Sequence, residues 1–187
     1  MARTLARSNI ITADKRRQAY HEAGHAVMSF FGGLKVKSIC IDTFRPHHGG
    51  FAIGETRYYT SNYGRLLDYV NDVARAFGGA QAERIYSGGI YLPGIEGDFE
   101  NAGRIHAEYG TMCEKHAVRN VSTISDAWEI AGRTLTENWY LVEAIAQRLL
   151  EKGWLSGRSV EKVIRSAVES RFNKKGNPDH EAKTRED

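Results

Sequence analysis

The stretch DKRRQAYHEAGHAVMSFFGG, Asp14 to Gly33, decides the fold. Ala19, Ala23, Ala26, Val27, Phe30 and Phe31 recur at three- and four-residue spacing, which predicts a helix with one apolar face. Asp14 stands where an N-cap would, and Gly32-Gly33 where a helix stops. Inside the helix lies His-Glu-Ala-Gly-His, residues 21 to 25. Residues four apart share a helix face, so His21 and His25 point the same way. Two neutral imidazoles so placed can hold one Zn²⁺ at about 2.0–2.1 Å each. Glu22 is rotated off that axis and can face a water on the metal, as the general base of a zinc peptidase does. The competing reading is a surface helix that happens to carry two histidines and a glutamate. Gly24 costs the helix about 1 kcal/mol against Ala, and suggests close approach of another backbone.

At 187 residues the chain is expected to form one domain with a real core. Its 41% hydrophobic and 26% charged content is that of an ordinary globular protein. A net charge of +3 gives only weak support for nucleic-acid or membrane binding, no basic run with interleaved aromatics strengthens it, and no nucleic-acid partner is expected. Cys40 and Cys113 fit no metal or redox motif and read as reduced thiols in a cytoplasmic protein, with Cys40 in the core. No run approaches the roughly 20 apolar residues of a membrane span, and residues 1–17 lack the apolar centre of a signal peptide.

Along the chain, residues 1–13 read as an N-terminal extension or short strand, 14–172 as the domain, and 173–187 as a charged, disordered tail. Strands are expected at Lys35–Ile41 and Phe51–Glu55. Helices are expected from Ser61 or Asn62 to Phe77, from Ala80 to Tyr86, from Asp98 to about His116, from Ser125 or Asp126 to Leu150, and from Ser156 or Ser159 to Phe172. Ser87–Gly97 reads as a loop. The expected class is mainly α with a small β-sheet, an α+β arrangement.

A catalytic zinc takes three protein ligands and keeps one position open. A metzincin would place its third histidine six residues after His25, where this chain has Phe31, with Met28 at the intervening glycine. Glu55, Asp98, Glu96, Glu100, His106 and His116 remain as candidates, and the residues alone leave the choice open. Asp98 follows a glycine-rich loop, and its plainer role is a helix cap.

Three blocks in order resemble the peptidase domain of FtsH-type zinc metalloproteases. They are Ala19–Val27; Phe77-Gly78-Gly79-Ala80-Gln81-Ala82-Glu83; and Gly94-Ile95-Glu96-Gly97-Asp98-Phe99-Glu100-Asn101-Ala102. Leu135-Thr136-Glu137-Asn138 and Leu149-Leu150-Glu151-Lys152 are similar to that family's late helices. The resemblance covers about residues 14 to 170. It implies a zincin-type helical peptidase domain, Asp98 as third zinc ligand, and Glu22 as catalytic base. Glu83 is then a carboxylate behind a histidine ligand, with a solvated helix position as its plainer role. Gly50-Phe51-Ala52 would be an edge strand that pairs with a peptide substrate. Departures are Gly97 for an Asn, Tyr91-Leu92-Pro93 for a Thr-rich lead-in, and Gln81 for an Ala; they bear on substrate handling more than on zinc. No G-x-x-x-x-G-K-[ST] occurs. The expected activity is therefore ATP-independent hydrolysis of peptides or unfolded segments, with a separate ATPase or adaptor and a homo-oligomer as the partners left open. A non-catalytic zinc-containing interaction module of the same fold is the alternative.

Overall fold

The computed structural model describes the backbone of residues 2–41, 55–58, 69–90, 92–116 and 123–175, and side chains within 15–41, 69–90, 95–116 and 123–173. In chain order the elements are α1 (Ala2–Phe31), β1 (Val36–Cys40), β2 (Glu55–Tyr58), α2 (Tyr69–Ala76), α3 (Gly78–Ser87), α4 (Leu92–Lys115), α5 (Ile124–Glu137), α6 (Trp139–Lys152), β3 (Trp154–Ser156) and α7 (Gly157–Lys175). The protein is mainly helical with one small sheet, as the spacing of apolar residues predicts. Among the described residues, no helix is long and apolar enough to cross a membrane.

Helix α1 is the axis of the fold. Small residues on it, Ala19, Ala23 and Ala26, are fully buried together with Val27. Around them pack Phe77 and Ala82 of the α2–α3 segment, Ala131 and Leu135 of α5, and Val142, Ile145, Ala146 and Leu149 of α6. From Ala23 to Ser29 every residue is buried, so the segment is a core helix rather than a half-exposed one. Phe30 and Phe31 leave that core at 47% and 48% exposure, against the expectation that they complete its apolar face. They lie in the last turn, beyond the flanking helices. The turn closes where expected: Leu34 N–H donates to Ser29 O at 2.8 Å, with Gly33 at φ +72°.

The close approach suggested by Gly24 is made by α3. A Cβ on Gly24 would lie 2.2 Å from Gly78 O and 2.6 Å from Ala82 Cβ. Both obstacles belong to helix backbone or its first side-chain atom and cannot swing aside. Gly24→Ala gains about 1 kcal/mol of helix propensity but forces the two helices apart, and overpacking of this kind costs about 1–3 kcal/mol or more. An approach of 2.2 Å on a backbone oxygen puts the cost at the top of that range, so the variant should lose about 2 kcal/mol net, read as a lower denaturant midpoint at unchanged slope. Unchanged stability would show that α1 and α3 do not meet here.

The sheet runs β2-β1-β3, antiparallel throughout, with Ile39 opposite Thr56 on one side and Leu155 on the other. A bulge lies between Val36 and Ser38. Cys40 is only half-buried, not a core residue. Gly50, Phe51 and Ala52, the expected substrate strand, lie outside the described residues; among the described ones, Glu55–Tyr58 is a strand.

Several boundaries differ from expectation. Helix α1 starts at Ala2, so residues 2–13 continue it and Asp14 is internal rather than a cap. That segment has no Gly or Pro and carries Ala2, Ala6, Ala13, Arg3, Arg7 and Leu5, which favour helix. Helix α4 begins at Leu92, because Pro93 is tolerated in a first turn; the expected loop shrinks, and Asp98 falls in the second turn, not at the start. The cap of α5 is Thr123, whose hydroxyl accepts from Asp126 N while the Asp126 carboxylate accepts from Thr123 N. The expected single helix to Leu150 breaks at Asn138, whose side chain donates to Thr134 O at 3.0 Å. Strand β3, three residues long, has too few positions to show a period. Helix α7 extends to Lys175, three residues into the expected tail; residues 176–187 lie outside the described ones.

Candidate metal centre

The break between α2 and α3 builds the site. A helix leaves its last carbonyls and first N–H groups without helical partners. Helix α2 ends at Ala76 and α3 begins at Gly78, so both kinds of group face α1 together. The Arg75 carbonyl lies 3.0 Å from His25 Nδ1. A carbonyl only accepts, so His25 Nδ1 carries the proton. His21 Nδ1 lies 3.0 Å from Glu83 Oε1, and likewise donates to that carboxylate. With both Nδ1 atoms committed, Nε2 is the atom that offers a lone pair in each neutral imidazole. The two Nε2 atoms stand 3.1 Å apart.

Asp98 reaches this point from α4. Its Oδ1 is 3.1 Å from His25 Nε2 and its Oδ2 3.4 Å from His21 Nε2. The Ala80 N–H, in the first turn of α3, donates to the same carboxylate, and the positive end of a helix favours an anion there. Oδ2 is buried and takes no hydrogen bond. Two imidazole Nε2 atoms and a carboxylate therefore converge on one spot, an arrangement that suits a positive charge. Burial alone would raise the Asp98 carboxyl, but the His25 charge and hydrogen bond, with His21 and Ala80, hold it below the usual range. Burial alone would lower His25; Asp98, Glu22 and the Arg75 carbonyl outweigh it and hold the imidazole up at about 9. A proton on His25 is one way to supply the positive charge, and a metal ion is the other.

The donors fit a tetrahedral ion. Bonds of about 2.0–2.1 Å imply ligand-to-ligand edges of about 3.3 Å; the two Nε2 atoms stand 3.1 Å apart, the Asp98 oxygens approach them at 3.1 Å (Oδ1 to His25) and 3.4 Å (Oδ2 to His21), and one donor atom from each residue lies within 4.8 Å of the others. The space is kept open by Gly79: a Cβ there would lie 2.4 Å from His21 Nε2 and 2.6 Å from His25 Nε2. Glu22 is buried on α1 beside this cluster, near enough for its charge to raise His25.

His21, His25 and Asp98 are thus brought together, and Glu83 is buried behind His21 rather than solvated. Glu96, Glu100 and His116 are exposed. His106 is held by the Tyr69 hydroxyl. Of Glu55 only the strand backbone is described. Reasoning from sequence missed the Arg75 carbonyl and the Ala80 N–H, which have no side-chain signature, and the packing reason for Gly79, which was legible only as a glycine pair. Among known proteins, no family model and no curated sequence matches this chain.

Proposed function

We propose that the protein is a zinc-dependent, ATP-independent endopeptidase acting on peptides and unfolded or exposed segments, related to FtsH-type peptidase domains. The observation that carries this reading is the convergence of two imidazole lone pairs and the Asp98 carboxylate beside a buried glutamate, Glu22. His21, His25 and Asp98 would hold the ion, with one side left for substrate. When bound, Zn²⁺ supplies Lewis acidity and brings a water's pKa to about 7. Glu22 takes a proton from the attacking water and returns it to the leaving amine. Glu83 and the Arg75 carbonyl keep the two imidazoles in the tautomer that offers Nε2. Cys40 and Cys113 are thiols rather than a disulfide, which agrees with a cytoplasmic setting.

The test is cleavage of unfolded casein by the zinc-loaded protein, with and without a chelator. Cleavage should occur, stop on chelation and return with added zinc. A zinc-loaded protein without cleavage would leave the non-catalytic module as the better reading.

Proton balance gives a second check. At pH 7 the His25 proton must leave before that nitrogen can bind a metal, so uptake should release about one proton from it. Apparent zinc affinity should then rise about tenfold per pH unit from pH 6.5 to 8, since His25 holds its proton up to about 9. Calorimetry in buffers of different ionisation enthalpy reads the release directly. A pH-independent affinity would contradict the proton assignment.

A further inference from the structure

Glu83 uses one oxygen on His21, and its other oxygen is unexplained by the metal site. Oε2 is buried and accepts no hydrogen bond. The cation facing it is Arg17, whose Nε lies 4.0 Å away. Arg17, His21 and His25 are four residues apart on α1 and so form one stripe along that helix. Against this stripe α3 sets two residues that are also four apart. Glu83 lies against Arg17 and His21, and Gly79 against His21 and His25. The crossing of α1 and α3 therefore fixes the order Arg17, Glu83, His21, metal.

From this geometry we infer that Arg17 is a positioning residue for the metal centre, acting through Glu83; the inference rests on the metal reading above. A carboxylate hinged on Cγ–Cδ can rotate about that bond. With only His21 to hold it, either oxygen can swap into the contact, or the group can tilt toward the open edge of the site. An Arg17 guanidinium beside Oε2 fixes which oxygen faces which partner. Oε1 then stays on the His21 Nδ1 proton, and the His21 ring is held with Nε2 toward His25 and Asp98. Arg17 is 23% exposed at its side chain while Glu83 is 4% exposed. The cation therefore keeps one side in water, and the pair avoids the full cost of burying both charges. The contact is through Nε, and a lysine ammonium, one bond further along the side chain, can set a single charge beside the same oxygen.

The experiment measures zinc affinity by competition with a chromophoric chelator, for the wild type, Arg17→Met, Arg17→Lys, Glu83→Gln and the Arg17→Met/Glu83→Gln double variant. Arg17→Met should bind zinc about tenfold more weakly, at the low end for partners behind metal ligands. Arg17→Lys should restore affinity to within about threefold. Glu83→Gln should weaken binding by at least as much as Arg17→Met. The double variant should be no weaker than Glu83→Gln alone, because Arg17 acts only through that carboxylate. Additive losses, or an Arg17→Met variant that binds as the wild type does, would overturn the inference while leaving the metal site standing. A wild-type chain that takes up no zinc would overturn the metal reading and this inference with it. Thermal melts of the metal-free variants separate the two kinds of effect. Loss of affinity that tracked loss of stability would assign Arg17 to the fold alone and overturn the inference.

Discussion

Glu22→Gln is expected to keep its zinc and to lose its peptidase activity by about 10²–10⁴-fold, the usual loss on removing a general base. Glutamine has the same shape, so the buried position at 4% exposure is refilled without a cavity. It is neutral and takes up no proton at working pH. The metal donors are untouched, because His21, His25 and Asp98 come from other positions. Zinc affinity should change little, because the Glu22 charge that helps hold the proton on His25 also favours a metal ion at the same place, and the two effects oppose each other when it is removed. The measurements are zinc per chain by atomic absorption and casein cleavage at matched loading. Cleavage that survives would remove Glu22 from the mechanism. Loss of the metal would make Glu22 a ligand instead of a base.

Legibility of this site from sequence followed the range of the interactions. His21, Glu22 and His25 sit within five residues on one helix, and helical spacing alone relates them. Asp98 is 73 residues from His25 in the chain, and spacing carries no information across that gap. Resemblance alone singled it out, and the geometry then placed it against both imidazoles. Its position in the second turn of α4, instead of at the cap, was misjudged because Pro93 and three glycines between 88 and 94 resemble a loop. A proline in a first turn and isolated glycines are tolerated when packing holds the helix. The backbone partners were not legible at all. The carbonyl of Arg75 and the N–H of Ala80 become available only because α2 and α3 break at Phe77. The Gly78-Gly79 pair places that interruption at the glycines, one residue late. Those glycines begin α3 instead of ending α2, and this places them against α1.

The consequence is that the two glycines have different work, and substitution should separate them. Gly79→Ala is expected to empty the metal site while leaving the fold standing. The added Cβ would lie 2.4 Å from His21 Cε1 and Nε2 and 2.6 Å from His25 Nε2. Those atoms are the far ends of side chains, so the imidazoles can rotate away. Rotation takes Nε2 out of the cluster, and the methyl group fills the space between the donors. Alanine also favours the α3 helix by about 1 kcal/mol, which offsets part of the strain. Zinc affinity should fall at least about a hundredfold, beyond the range for a partner behind a ligand, with the metal-free melting temperature little changed. Gly78→Ala meets different atoms: Gly24 O at 2.9 Å, Gly24 C at 3.0 Å and Met28 Cγ at 3.0 Å. Backbone of α1 cannot rotate away, so this variant should lose stability as Gly24→Ala does. The paired result, metal lost in one and stability in the other, is what a two-glycine crossing under a metal site requires. Full zinc binding by Gly79→Ala would mean that the ion, if bound, is not held between His21 and His25.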